Sequence, residues 1–384
     1  MRAAAILGLL ACLPLMAAAQ DARWQFPEDG VEFDATFEGA RLNGVERLGA
    51  FTYRLHVTPE TSPINPSPWY GFEVRTRARQ VLDLTMVFDG YRPRYTPWIS
   101  RDAQAWDRVD LRAYRVDREA DAARLLLRAS QDAMRVSAQP PVLEADIQAW
   151  TSAVADRVPT RRVPVATSVR GRPIEAMLLG NTDARDVVLV LGRQHPPETT
   201  GMRALFAFVD ALTADSPAAR AFRERHLVVV VPLMNPDGVA AGHWRTNSAG
   251  TDLNRDWGPF AQPETRGVAE FLAQLMAPAS RRMAFALDFH STWYDIFYTV
   301  TEDPARRPGG VLNRWMAAMD ARYPGRIEER PSAASSAVFK NWVFREYGAP
   351  SVTYEVGDTT EQASLHELAT FAAESLMQEL TPRQ

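Results

Sequence analysis

His195 and Glu198 lie three residues apart in the stretch Gly192-Arg193-Gln194-His195-Pro196-Pro197-Glu198-Thr199-Thr200-Gly201-Met202. An imidazole and a carboxylate at that spacing on a turn can project to one side and converge on a cation, as half of a zinc site. The pair alone is a weak signal, because His-x-x-Glu arises readily by chance. Its setting strengthens it. The apolar run 187–191 before it reads as a buried strand, and Met202, Leu205, Phe206, Val209 and Leu212 after it recur on one helical face. The pair therefore sits where a strand ends and a helix begins.

Two more candidates occupy similar positions. His290, in Asp288-Phe289-His290-Ser291, ends the strand-like run 284–289, and Glu355, in Tyr354-Glu355-Val356-Gly357-Asp358, ends the run 351–355. Between them the loop 243–257 carries Arg245 and Arg255, with Asn254 beside the second. An arginine next to an amide can grip a carboxylate through paired hydrogen bonds. Asn235-Pro236-Asp237-Gly238, after the run 227–233, reads on its own as an ordinary turn. A lone His or Glu at a strand end is ordinarily structural. Two of each at strand ends, with an arginine loop between, describe a site.

The elements that must position these residues alternate. Strand-like runs at 187–191, 227–233, 284–289, 296–300 and 351–355 are interleaved with helical patterns at 199–212, 264–276, 311–321 and 363–380. A hairpin at 163–179 turns on Arg170-Gly171-Arg172. This alternation predicts an α/β domain with a mostly parallel, twisted sheet flanked by helices, in which ligands bind at the carboxyl ends of the strands. Alternating runs at 31–35 and 51–55, with longer runs rich in aromatic and β-branched residues at 69–74 and 81–88, predict an antiparallel β-sandwich before it. Arg92, Arg94, Trp98 and Trp106 cluster near its end; buried tryptophans with surface arginines are the plainer reading there, carbohydrate binding the other. Ser137-Ala138-Gln139-Pro140-Pro141 reads as a linker, which divides the chain into 21–138 and 139–384.

The chain has 384 residues, 46% hydrophobic and 23% charged, enough for two domains with sizeable cores. A net charge of -4 argues against nucleic acid or an anionic membrane as the main partner. Residues 1–20, with Arg2, an apolar run and Ala17-Ala18-Ala19, read as a cleaved signal peptide. Its removal takes away Cys12, the only cysteine, and the expected location is secreted or periplasmic. A lipid on Cys12 fits the motif poorly, so no membrane anchor is expected.

Taken together, these motifs resemble the zinc carboxypeptidase family typified by carboxypeptidase A. His195, Glu198 and His290 match its three zinc ligands in identity and order, and Asn235-Pro236-Asp237-Gly238 is also a family motif. The sandwich, with Trp69-Tyr70-Gly71-Phe72 and Trp98, resembles more loosely the one preceding the catalytic domain in the cytosolic carboxypeptidase-like branch. The resemblance implies one Zn2+ per chain with an open position for water, and Glu355 as general base. It implies Arg245 as the oxyanion donor, and Asn254 with Arg255 as the clamp for the free C-terminal carboxylate of a peptide substrate. Asp252 would hold the far nitrogen of His195. Lys340 falls in the region of the specificity pocket, where a lysine would favour an acidic C-terminal side chain; the surface of an amphipathic helix is the equal alternative. The family's mobile-loop tyrosine has no counterpart in Pro331-Ser332-Ala333-Ala334-Ser335-Ser336, and neither Tyr323 nor Tyr347 aligns with it.

Two other functions share this site. One is an amidase or carboxypeptidase acting on cell-wall (murein) peptides with the same zinc chemistry. The other is a catalytically silent peptide-binding protein.

Overall fold

Runs of aliphatic residues without polar alternation must be covered on both faces, and the centre of the molecule is built from them. The computed structural model describes residues 22–381; the expected signal peptide, residues 1–20 with Cys12, lies outside them. Strands Asp186–Gly192, His226–Val231, Arg282–Thr292 and Ser351–Gly357 are buried along almost their whole length. They form the middle of an eight-stranded sheet in the order Thr160–Thr167, Pro173–Gly180, His226–Val231, Asp186–Gly192, Arg282–Thr292, Ser351–Gly357, Ile296–Val300, Glu328–Ser332. The four central strands pair in parallel. The expected hairpin forms one antiparallel edge, and Ile296–Val300 joins the other side antiparallel to Ser351–Gly357.

Side chains of Asp186–Gly192 alternate between two helical layers. Val188 and Val190 face a core shared with helices Thr199–Leu212, Val311–Arg322 and Gln362–Leu380. Val187, Leu189 and Leu191 face a second core shared with Pro263–Met276 and Phe339–Tyr347. Helices Glu144–Arg157 and Pro217–Arg225 are absent from the periodicity reading. The first buries only Ile147, Thr151 and Val154, and the second only Ala219 and Phe222, too few apolar positions to stand out.

Before this sheet lie a six-stranded and a five-stranded sheet, which enclose a core of aromatic and aliphatic residues that includes Phe33, Tyr53, Phe72, Leu84 and Leu125. The pairings are antiparallel, as expected, with one exception: Thr52–His56 and Gln80–Val87 run parallel. The chain between them crosses to the other sheet as Gly71–Thr76 and returns, so both strands enter in the same direction. The stretch expected to be a linker is not a loose tether. Ser137, Ala138 and Gln139 are buried, and Gln139 Nε2 donates to Asp358 O at 3.0 Å.

One glycine sets how closely helix and strand approach at the predicted site. A Cβ added to Gly201 would lie 2.4 Å from His290 O and 2.6 Å from its carbonyl carbon, so only glycine lets Thr199–Leu212 rest against Arg282–Thr292 here. Gly201 N and Thr200 Oγ1 both donate to Ser291 Oγ at 2.8 Å. Gly201→Ala is therefore expected to destabilise the protein by about 1–3 kcal/mol or more through overpacking against backbone. It should also weaken metal binding at the predicted site, because it pushes Glu198 away from His290. Denaturant unfolding together with metal analysis of the purified variant checks both.

Candidate metal centre

Three parallel strands deliver the predicted residues to one end of the sheet. His195 follows Asp186–Gly192 directly, while His290 and Glu355 are register partners on Arg282–Thr292 and Ser351–Gly357. Glu198 is the residue that caps helix Thr199–Leu212. Its side chain lies between the two histidines: Oε1 is 2.8 Å from His195 Nδ1, and Oε2 is 2.7 Å from His290 Nδ1. The ligating atoms of the three residues lie within 4.8 Å of one another, and all three residues are buried.

The far nitrogens are fixed by carboxylates. His195 Nε2 lies 2.9 Å from Asp252 Oδ1, and His290 Nε2 lies 2.7 Å from Asp288 Oδ2. Without a cation each Nδ1 donates to Glu198; with one bound, the outer carboxylates keep the proton on Nε2 and direct each Nδ1 lone pair at the shared centre. Gln194 extends the support, donating to Asp288 Oδ2 at 2.8 Å and accepting from Trp257 Nε1 at 2.8 Å. Two imidazole nitrogens and a carboxylate, each oriented by an outer partner, form a donor set that fits Zn2+.

The two central carboxylates have been pushed in opposite directions. Burial would raise the Glu198 carboxyl, but the charges and hydrogen bonds of His195 and His290 outweigh it and hold the group well below the usual carboxylate range. Burial dominates at Glu355 and pushes its carboxyl up to about 7; the imidazoles oppose this and the Glu198 charge adds to it. Glu355 Oε2 is buried without a hydrogen-bond partner. One carboxylate is thus a fixed anion, the other a group able to take and give a proton near neutrality.

The arginine loop lies over this centre. Arg245 Nε donates to Asp252 Oδ2 at 2.6 Å, while its Nη groups make no hydrogen bond among the described residues. Asn254 accepts from Phe339 N through Oδ1 at 2.9 Å, and its Nδ2 lies 3.2 Å from His290 Nε2. That ring nitrogen already donates to Asp288, so the amide remains available to a ligand oxygen. The Arg255 side chain is half exposed and is steadied by the Asn254 carbonyl at 2.7 Å. All three line a cleft of about 990 Å3 together with His195, Glu198, His290, Glu355 and Lys340. A groove of about 1110 Å3, lined by Arg77, Arg79, Arg101 and Arg128, lies on the sandwich and contains none of these residues.

Lys340 is the only lysine of the chain and is 3% exposed. Its Nζ donates to Asn341 Oδ1 at 2.7 Å, Ser332 Oγ at 3.0 Å and Thr299 O at 3.1 Å, all uncharged acceptors. Burial pulls its ammonium down to about 8. It lies on helix Phe339–Tyr347, on the buried rather than the solvated face.

Several cleft residues were not expected at the site. Tyr91, Arg118, Tyr298, Trp293 and Thr353 carried no signal in the sequence, and Arg92 and Arg94, read there as surface arginines of the sandwich, also line the cleft. Arg94 Nε donates to Asp358 Oδ2 at 2.7 Å and its guanidinium lies over the Trp293 ring, which ties the sandwich to the strand end beyond Glu355. No motif links these positions to the metal ligands; only the fold brings them together. Tyr323 and Tyr347 do not line the cleft and pack instead against Phe371 and Trp342. Tyr91 and Tyr298 are the tyrosines that do.

Comparison with known proteins agrees with this geometry. Residues 147–259 match the family model described as zinc carboxypeptidase. That segment contains His195, Glu198, Arg245, Asn254 and Arg255, and the structure adds His290 and Glu355 to them. Mouse cytosolic carboxypeptidase 6 is 24% identical over 291 residues, covering 69% of this chain and 54% of that protein. The chain spans about half the length of the first curated relatives it matches. A metallo-carboxypeptidase from Burkholderia cenocepacia superposes with a TM-score of 0.75 at 22% identity, covering 91% of this chain and 98% of that one. One from Pseudomonas aeruginosa, solved in complex with (2-guanidinoethylmercapto)succinic acid, gives 0.74 at 22% identity, with 91% and 100% covered. Over residues 147–259 this chain is thus similar to the zinc carboxypeptidases.

Proposed function

We propose that the protein is a zinc metallocarboxypeptidase that removes the C-terminal residue of peptides, with a preference for acidic residues. The observation that carries this reading is the unpartnered Glu355 carboxylate beside the His195, Glu198 and His290 donor set, in the same cleft as Arg245, Asn254 and Arg255. Zn2+ held by those three ligands would supply a Lewis acid and lower the pKa of a water at its open position.

The chain's own residues do the rest. Asn254 Nδ2 and the Arg255 guanidinium grip the terminal carboxylate, which restricts cleavage to the last peptide bond. The free Nη groups of Arg245 donate to the scissile carbonyl oxygen as it gains negative charge. Glu355 removes a proton from the attacking water and delivers it to the departing amine nitrogen. Lys340 supports the acidic preference. It is a buried cation whose three acceptors are neutral, and no carboxylate pairs with it among the described residues; a substrate carboxylate supplies the missing charge. We also infer that residues 1–20 direct export to the periplasm or beyond, which sequencing the N-terminus of the protein recovered from its host would test.

Glu355→Gln is expected to abolish hydrolysis while zinc content and peptide affinity stay near wild type. Hydrolysis persisting in that variant would contradict the mechanism. Because the Lys340 ammonium titrates at about 8, kcat/KM for a glutamate-ended peptide is expected to fall as pH rises through that value. A leucine-ended peptide should lack this limb. Lys340→Met should remove the limb and cost the glutamate substrate about 2 kcal/mol, roughly thirtyfold, in kcat/KM. Rate profiles for the two peptides with both proteins measure this.

A further inference from the structure

The loop that carries Arg245 is held from outside the catalytic sheet. Glu60, in the segment after strand Thr52–His56 of the sandwich, turns its carboxylate onto three successive backbone amides. Oε2 accepts from Trp244 N at 2.7 Å, and Oε1 accepts from Arg245 N at 2.9 Å and Thr246 N at 2.7 Å. Thr246 Oγ1 adds a fourth bond to Oε1 at 2.9 Å. Hydrogen bonds to an ionised acceptor are about twice as strong as neutral ones, so this carboxylate fixes the loop backbone more firmly than a solvated turn would.

A second anchor lies beside the first. Trp244 is fully buried in the core of the sandwich, not in either core of the catalytic sheet. Its Nε1 donates to Trp69 O at 2.9 Å, and its ring meets Tyr91 edge-on at 5.4 Å. From this clamped backbone the Arg245 side chain runs to Asp252, whose other oxygen holds His195. The guanidinium is therefore fixed at both ends, by the sandwich through its backbone and by Asp252 through Nε.

Asp252 sets where Nε lies, but not where the side chain starts. A donor aimed at a developing oxyanion loses most of its effect when displaced by about 1 Å. Among the described residues the Arg245 amide is bonded to Glu60, with the amides on either side bonded to the same carboxylate. We infer that Glu60 of the sandwich is a positioning residue for Arg245, which makes the sandwich a working part of the catalytic site. This rests on the oxyanion role proposed for Arg245 above.

The test is a double-mutant cycle on the full zinc-loaded protein, with Glu60→Ala, Arg245→Ala and the pair. Hydrolysis of a glutamate-ended peptide is followed alongside zinc content and thermal unfolding. Glu60→Ala is expected to lower kcat about tenfold to a hundredfold with KM changed less than about threefold. In the Arg245→Ala background the same substitution should cost almost nothing further. Glu60→Gln, which keeps an acceptor for Arg245 and Thr246 and loses one for Trp244, should recover part of the rate. If Glu60→Ala fails to fold, Glu60→Gln carries the same cycle with smaller effects. An unchanged kcat, or losses that multiply in the double variant, would overturn the inference and leave Glu60 a structural clamp only. An active wild type with an unaffected Arg245→Ala would instead remove the oxyanion role of Arg245, and this inference with it.

Discussion

A single buried carboxylate, Glu198, placed between two imidazoles is the contact on which the site depends. Burying an unpaired carboxylate costs several kcal/mol, so Glu198 requires both histidine partners, and a bound cation satisfies all three at once. The geometry around it follows from that demand. His195 must leave its strand at the right point, His290 must sit at the end of the neighbouring strand, and helix Thr199–Leu212 must press its first turn against that strand. Gly201 permits the last of these, because a methyl group there would meet the His290 carbonyl.

The same economy separates the roles of the two glutamates. Glu198 has both oxygens engaged and stays ionised, whereas Glu355 has one oxygen with no partner and is pushed up by burial. Like carboxylates in one cleft are thus given unlike chemistry by their neighbours. The second half of the chain does not build the cleft alone. Arg94 crosses from the sandwich to Asp358, Glu60 holds the Arg245 loop, and Trp244 lies in the sandwich core. Removing the sandwich would strand an indole in water and leave three amides without their acceptor.

Much of this was legible in the sequence, for physical reasons. The central strands are continuous aliphatic runs, and such runs have few alternatives to a parallel sheet covered on both sides. The chemistry-bearing residues follow those runs directly, so locating the strands also located His195, His290 and Glu355. Helices with a broad apolar stripe, such as Thr199–Leu212, were readable to the residue; Glu144–Arg157, with few buried positions, was not. Long-range partners were hidden altogether. Glu60 and Trp244 lie 184 positions apart, and Arg94 and Asp358 lie 264 apart, with no local pattern to connect them. Lys340 remained ambiguous because a helix with aromatic neighbours can present a lysine to solvent or to a cleft; only its three neutral acceptors separate the two.

The most direct measurement is a mass-spectrometric digest of a mixed peptide pool by the zinc-loaded protein. The pool should contain peptides ending in glutamate, lysine and leucine, their C-terminally amidated counterparts, and a cell-wall tripeptide. This account expects loss of a single terminal residue from the free-acid glutamate peptide first, with every amidated peptide untouched. Cleavage of amidated peptides, cleavage of the cell-wall peptide alone, or no cleavage at all with zinc bound would contradict it.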